Sequence, residues 1–143
     1  MSASPVRSPR ETAELLLRTV TEGERTALAD LYAPDTRIEN LWAPGGPDVT
    51  EGREVLRARM AGSGDAWDFE SVDLIALNES TDPEVVVLEY RVAGRIRSNG
   101  TQFSLGFVSV LRVVDGLIVH ARDYSNPEET KALLPLLRAA SAG

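Results

Sequence analysis

The chain has 143 residues, which is enough for one domain with a sizeable core. It contains no cysteine, which excludes disulfides, thiolate metal sites and a cysteine nucleophile, and its single histidine, His120, disfavours a histidine-based metal centre. The formal net charge of -7 argues against nucleic acid as a partner, because neutralising phosphates needs clustered Lys and Arg. No apolar run approaches the ~20 residues of a membrane span, and residues 1–9 lack a signal-peptide apolar region. We therefore expect a cytoplasmic protein with a flexible leader over residues 1–9.

The first half of the chain predicts three helices and one strand. Ser8 and Glu11 have the spacing of a capping box at the start of the first helix. Thr50 is placed to cap the third helix. The strand alternates, with Ile38, Asn40 and Trp42 on one side. The helices are expected at residues 9–23, 24–32 and 51–60, and the strand at residues 36–42.

The second half predicts four consecutive strands and a last helix. Turn residues separate the strands, most clearly Asp115-Gly116 between two β-branched runs. The last helix begins near Asn126, and Pro135 is expected to bend or end it. Helices followed by antiparallel strands give an α+β domain, in which a curved antiparallel sheet wraps around the N-terminal helices and leaves a cavity for function. The strands are expected at residues 67–77, 84–96, 102–113 and 117–124.

The turn at Asp115-Gly116 decides which face of the sheet carries Asp123. A two-residue loop places Asp123 on the face of Arg112. A three-residue loop pairs Val113 with Leu117 instead, and we favour it because Arg112 then leaves the apolar face. In that register the face of Asp123 also carries Ala121, Val119, Leu117, Phe107, Ser109 and Leu111.

Four short motifs accompany this order of elements: Leu31-Tyr32-Ala33-Pro34-Asp35, Glu51-Gly52-Arg53-Glu54, Asp115-Gly116 and Arg122-Asp123-Tyr124-Ser125-Asn126-Pro127. Together they resemble the nuclear-transport-factor-2-like superfamily, and within it the SnoaL-like polyketide cyclases and the related phenazine-biosynthesis proteins. The resemblance covers residues 10–138 as a single domain and leaves residues 139–143 as a tail. It implies a cone-shaped fold. In such cyclases an acid near the end of the last strand works on a polyketide as general acid/base without a cofactor, and Asp123 occupies that position.

Two other branches of the superfamily match less well. Limonene-epoxide hydrolases use two Asp and an Arg, with a Tyr and an Asn holding the water. Asp123 and Asn40 match one Asp and the Asn, but Ile38 stands at the Tyr position, and the Arg and second Asp fall at about Tyr90 and Val92. Ketosteroid isomerases place their base where this chain has Asn40, and their oxyanion Tyr on the first helix, where it has none. The resemblance therefore disfavours both of these mechanisms.

These observations predict a cofactor-independent enzyme of small-molecule biosynthesis. We expect a cyclase or isomerase in which Asp123 is the acid/base and Asn40 and Tyr90 are donors. A carboxylate in an apolar pocket has its charged form disfavoured, which suits proton transfer near neutral pH. One alternative is an epoxide-opening hydrolase/cyclase or a dehydratase in the same pocket. Another is a non-catalytic ligand-binding module, in which Asp123 is a surface carboxylate or a helix cap.

The expected ligand is an apolar or aromatic small molecule, held without a metal and away from any membrane. The expected pocket wall consists of Tyr32, Ile38, Trp42, Trp67, Phe107, Ser109 and Ala121. Relatives often carry a Trp at the position of Ala121, so the smaller side chain is expected to enlarge the cavity beside Asp123. A homodimer is expected through the outer face of the sheet, which would carry Val108, Val110, Arg112, Ile118 and Arg122.

Overall fold

The computed structural model describes residues 5–22, 25–63 and 66–142. In chain order the elements are α1 (Pro9–Glu22), a 3₁₀ helix (Arg25–Leu31), β1 (Tyr32–Asn40), β2 (Asp48–Glu51), α2 (Arg53–Ser63), β3 (Trp67–Glu79), β4 (Val85–Ile96), β5 (Gln102–Val114), β6 (Leu117–Ser125) and α3 (Pro127–Ala142). Within these ranges, no helix is long and apolar enough to cross a membrane.

The six strands form one open sheet in the order β2-β1-β6-β5-β4-β3, and the helices flank it. This arrangement confirms the predicted α+β class. Neighbouring strands run antiparallel except for β1 and β6, which run parallel. The chain between these two strands passes through α2 and the other strands, which supplies the long crossover that a parallel pair requires.

One face of the sheet, here called the inner face, packs against α1 and the 3₁₀ helix. Leu88, Leu111 and Ile118 from three strands form the core there with Leu16 and Leu17 of α1. A second cluster lies towards the far end of β4 and β5, where α3 contributes Leu133. The residues that alternate with these core positions along each strand point to the opposite, outer face, as the exposed Val108 does. Strand side chains that point to the inner face are therefore shielded from solvent by these helices.

Local sequence signals set several helix boundaries. The capping box at α1 forms as predicted, since Ser8 Oγ accepts from the Glu11 N–H at 3.1 Å and Glu11 Oε1 accepts from the Ser8 N–H at 3.0 Å. Thr50 does not cap α2, because it lies in β2 opposite Ile38. Gly52 adopts a φ of 97° and reverses the chain, so α2 starts one residue later than Gly52.

The α3 boundary also differs from the sequence expectation. Pro135 lies inside the helix and does not end it, since α3 continues to Ala142.

The β5–β6 turn has two residues, so the favoured three-residue loop is wrong. Asp115 and Gly116 have φ values of 52° and 78°, and Val114 pairs with Leu117. Asp and Gly tolerate positive φ, and a two-residue turn of this kind matches the natural twist of the strands. Taken alone, this register would turn Asp123 towards the outer face.

A bulge at Val119 restores the face of Asp123. Val113 pairs with Ile118, but Arg112 pairs with His120, so Val119 is an extra residue on β6. Ile118 therefore turns inward and has no exposed surface, which corrects its predicted place on the outer face. Leu117 and Val119 lose their predicted places beside Asp123, which nevertheless reaches the inner face as expected.

Candidate functional site

Asp123 lies on the inner face of β6, between two polar neighbours. Its register partner on β5 is Ser109, and its partner on β1 is Asn40. The alignment of β1 with β6 depends on an irregularity after Tyr32, where the buried Thr36 hydroxyl donates to the Ile118 carbonyl at 2.9 Å. Two irregular strands thus bring an acid, an amide and a hydroxyl side by side.

Ser109 links Asp123 to the next strand. It is 1% exposed, and its hydroxyl opposes the rise in the pKa of Asp123. The Tyr90 hydroxyl lies 3.2 Å from Ser109 Oγ, and the Tyr90 ring stacks on Phe107 with centroids 5.4 Å apart. The structure therefore brings together the three residues predicted as catalytic, Asp123, Asn40 and Tyr90, through Ser109 and the strand pairing.

Asn40 and Tyr32 have polar atoms without a hydrogen-bond partner among the described residues. Within the described part of the chain, Asn40 Oδ1 is the one buried side-chain oxygen or nitrogen without a hydrogen-bond partner. Tyr32, at the start of β1, is 7% exposed and belongs to the same core as Ile38. Buried polar groups without partners are costly in a structural core, so their presence here favours a ligand site.

The electrostatics of the cluster disfavour the ionised form of Asp123 relative to an acid in water. Burial raises the pKa of Asp123 from 3.8 to about 6, and the hydrogen bond from Ser109 opposes that rise. Burial, followed by the charge of Asp123, raises the pKa of Tyr90 well above its ordinary value, so Tyr90 stays protonated. Among the described residues, no Arg, Lys or His is a cause of either shift. A carboxyl with a pKa of about 6 can take up and release a proton near neutral pH.

Trp42 does not lie in this cluster, contrary to the sequence expectation. β1 ends at Asn40, so the alternation that predicted an inward Trp42 stops two residues too early. The ring packs edge-on against Tyr124 at 5.0 Å and is 56% exposed. Tyr124 pairs with Val108 on the outer face, so Trp42 belongs to that face as well.

Trp67 and Ala121 also lie outside the expected pocket wall. Trp67 pairs with Ile96 at the far end of β4, six residues from Tyr90, or roughly 20 Å along the strand, and stacks under Arg25. Ala121 has no exposed surface and pairs with Ile38, so it contacts packed side chains rather than open space. It therefore does not enlarge a cavity beside Asp123 in this structure.

A groove of about 380 Å³ opens beside outer-face residues of the sheet. Its lining includes Trp42, Ile75, Val108 and Tyr124, and it also reaches Tyr90 and Phe107 of the cluster, but neither Asp123 nor Asn40. Among the described residues, no group of three or more His, Asp or Glu is arranged to hold a metal ion.

Two features of the cluster were not foreseen from the sequence. Ser109 was expected only to line the pocket, yet its hydroxyl lies 3.2 Å from that of Tyr90 and acts to lower the pKa of Asp123. Tyr32 was expected as pocket wall, yet burial, followed by the charge of Asp123, raises the pKa of its hydroxyl well above the ordinary value. The sequence signal for the role of Ser109 was that it is a lone polar residue among the apolar inward positions of β5.

The open six-stranded sheet and its flanking helices define an α+β domain, and Asp123 lies on the inner face of that sheet. Residues 13–121 match the sequence profile of the SnoaL-like domain, and the chain belongs to this family. The match ends two residues before Asp123, so the acid itself lies outside the matched range. An uncharacterised PhzA/B-like protein of Pseudomonas aeruginosa is 30% identical over 112 residues, which cover 78% of this chain and 79% of that protein.

Solved structures share the fold. A proposed isomerase from Bacillus subtilis aligns with a TM-score of 0.78 and 24% identity over 87% of this chain and 90% of that one. A proposed polyketide cyclase from Pseudomonas putida aligns with a TM-score of 0.71 and 16% identity over 87% of this chain and 96% of that one. Epoxide hydrolases and a designed 17-OHP binder have this fold too. At these identities the similarity establishes the ketosteroid isomerase-like fold and no particular reaction.

Proposed function

We propose that the protein is a cytoplasmic, cofactor-independent enzyme of secondary-metabolite biosynthesis, a cyclase or isomerase in which Asp123 is the general acid/base. The observation that carries this proposal is the Asp123 carboxyl on the inner face between Asn40 and Ser109 of the neighbouring strands, with a pKa raised by burial to about 6. Structural carboxylates are usually paired with cations or bonded to several backbone N–H groups, which lowers their pKa. Asp123 has the opposite environment.

The chemistry begins with proton transfer from a carbon next to a carbonyl group. The ionised Asp123 takes the proton, and the electron pair of the broken C–H bond moves onto the carbonyl oxygen as an enolate. In an isomerase, Asp123 returns the proton to another carbon. In a cyclase, the enolate carbon attacks a second carbonyl, and the resulting alkoxide receives the proton. Neither route requires an oxidant, a reductant or a second substrate.

The site gives less support to epoxide opening by a two-acid mechanism. In the described part of the chain, neither a second carboxylate nor a guanidinium contributes to the raised pKa of Asp123. Val92, which stands where the second acid would be, is a buried core residue. Proton transfer with a single acid therefore fits these residues better.

Exchange of carbon-bound hydrogen tests the proposal without knowledge of the natural substrate. The probe is 1-tetralone, a flat bicyclic ketone with hydrogens next to its carbonyl, incubated with the protein in D₂O and followed by NMR. Acid–base catalysis contributes ~100- to ~10,000-fold, so Asp123→Asn should lose the catalysed exchange by about that factor. The rate should also rise with pH through the Asp123 pKa of about 6 and then level off.

Two results of this assay would count against the proposal. If Asp123→Asn retains the exchange rate of the unchanged protein, Asp123 is not the base. If the unchanged protein binds the ketone but catalyses no exchange, the chain is a non-catalytic binding module, as the alternative interpretation holds.

We also propose that the protein is a homodimer that associates through its outer face. The exposed apolar residues Val108, Ile75 and Trp42 line one groove there, and contiguous apolar surface of this kind is typical of interfaces. This support replaces the predicted contribution of Ile118, which is buried.

A further inference from the structure

Two charged side chains of opposite sign on the outer face have no partner within the chain. Arg122 on β6 and Glu89 on β4 are both exposed. Neither makes a hydrogen bond or an ion pair with any of the described residues. They are too far apart to pair with each other, because β5 lies between their strands and two strand spacings amount to about 10 Å. The outer face therefore presents one unused cation and one unused anion.

The other charged side chains on the outer face of β4, β5 and β6 already have partners. Their closest N···O distances lie between 2.7 and 3.4 Å. These contacts join Arg112 to Glu84, His120 to Glu39, Arg91 to Glu129 and Arg95 to Glu70. Among the described residues of these three strands, the outer face thus leaves one charge of each sign for a contact outside the chain.

Exposed apolar side chains lie on both sides of β5 on the same face. Val108 is on β5 itself. Trp42 follows β1, on the β6 side of β5, and Ile75 lies at the β3 bulge, on the β4 side. Trp42 and Ile75 are 56% and 58% exposed. Apolar side chains flanked by charges have the composition of an interface core with its polar rim.

A two-fold axis parallel to β5 makes this surface complementary to itself. The strand order β1-β6-β5-β4-β3 has two strands on each side of β5, so the rotation lays β6 of a second copy across β4 and β1 across β3. Positions along the strands are kept by this rotation. Arg122 is level with Val110, which is two residues, or about 7 Å, from the level of Glu89. Packed sheets lie about 10 Å apart, and extended Arg and Glu side chains together span this offset.

The same rotation also matches the apolar side chains. Trp42 lies two residues beyond Asn40, close to the level of Phe107 along β5. Ile75 lies between residues that pair with Tyr90 and Glu89, which is the same level. An axis along β5 therefore sets Trp42 opposite Ile75 of the partner subunit, with Val108 close to the axis. One rotation accounts for the unpaired charges and for the exposed apolar groups.

We propose that a second copy of this chain docks on the outer face about an axis parallel to β5, with Arg122 of each protomer paired with Glu89 of the partner subunit. This inference deepens the proposed homodimer and rests on it. A two-fold contact uses the same patch on both copies, so the charge pair occurs twice. Complementary charges at such a contact fix its register and exclude other arrangements.

Reversal of one charge tests the pairing. Arg122→Glu sets two acids against each other in both pairs, and Glu89→Arg sets two cations against each other. Loss of one close charge pair at an interface weakens binding by ~30-fold or more, so the loss of two should weaken it by ~1,000-fold. Analytical ultracentrifugation at micromolar concentration should show each single variant as a monomer and the unchanged protein as a dimer.

Mixing the two single variants gives the sharpest test. In a dimer of one Arg122→Glu protomer and one Glu89→Arg protomer, each pair again joins a cation to an anion. The two monomeric variants should therefore form a heterodimer when mixed in equal amounts, and the double variant Arg122→Glu/Glu89→Arg should regain the homodimer. Arg18→Glu is the matched control. It makes the same change of charge at an exposed position of α1, on the opposite side of the sheet, and should remain a dimer.

The outcomes separate this inference from the proposals before it. If either single variant dimerises as tightly as the unchanged protein, the pairing is wrong. It is also wrong if the two variants keep the melting temperature of the unchanged protein but do not associate when mixed. Both results overturn the pairing even where another substitution on the outer face dissociates the dimer. An unchanged protein that is monomeric overturns the pairing together with the homodimer. Exchange that depends on Asp123 tests the enzymatic proposal independently of all these results.

Discussion

Replacing Asp123 with Asn should stabilise the protein at neutral pH while it removes activity. Folding raises the pKa of Asp123 from 3.8 to about 6, so the folded protein binds this proton more tightly than the unfolded chain does. Ionising the carboxyl therefore reduces the free energy of unfolding as the pH rises from about 4 to about 6. Above that window the penalty is fully present, and below it the penalty vanishes.

The size of the effect follows from the two pKa values. A tenfold change in proton affinity corresponds to ~1.4 kcal/mol, so the difference between 3.8 and about 6 amounts to ~3 kcal/mol at pH 7. Asn is also polar and retains part of the desolvation cost of the acid. We therefore expect Asp123→Asn to gain ~1 to ~3 kcal/mol at pH 7 and almost nothing at pH 4.

Urea unfolding of both proteins at pH 4 and pH 7 measures this difference. Asp73→Asn is the matched control, since Asp73 is an exposed acid on β3, and its stability should differ little from that of the unchanged protein at either pH. An Asp123→Asn protein that is less stable at pH 7 would show that the carboxylate caps a helix or makes a favourable ion pair. A stability gain that is equal at both pH values would show that ionisation of Asp123 is not its cause.

Three further substitutions test the site and the surface. Asn40→Leu removes a buried, unpaired oxygen beside Asp123, so urea unfolding should show a gain of ~1 kcal/mol together with lost exchange activity, and lower stability would contradict this reasoning. Ala121→Trp adds a large ring where no open space exists, so thermal melting should show a loss of ~1 to ~3 kcal/mol, whereas unchanged stability would place a cavity there after all. Val108→Glu puts a charge on the outer face near Trp42, so light scattering at micromolar concentration should change from dimer to monomer, and a monomeric unchanged protein would refute the dimer.

The sequence determined those features that depend on neighbours along the chain. The capping box of Ser8 and Glu11, the turn at Asp115-Gly116 and the alternation of β4 and β5 all form within a few residues of one another. Such signals need no knowledge of distant partners. They were enough for the fold class and for the element order apart from β2, which was missed, and they singled out Asp123 as the isolated acid at the end of an apolar strand.

Only the tertiary structure decided which side chains meet. The turn predicted one face for Asp123 and the bulge at Val119 reversed it, because strand pairing sets a bulge through contacts with β5 and not through its own sequence. Trp42 lies outside the inner face because β1 ends at Asn40, two residues before it. Asn40 and Ser109 lie beside Asp123 from the same cause, since pairing of β1 and β5 with β6 sets both residues opposite the acid. Burial by distant residues, and not the local sequence, raises the pKa of that carboxyl towards neutrality.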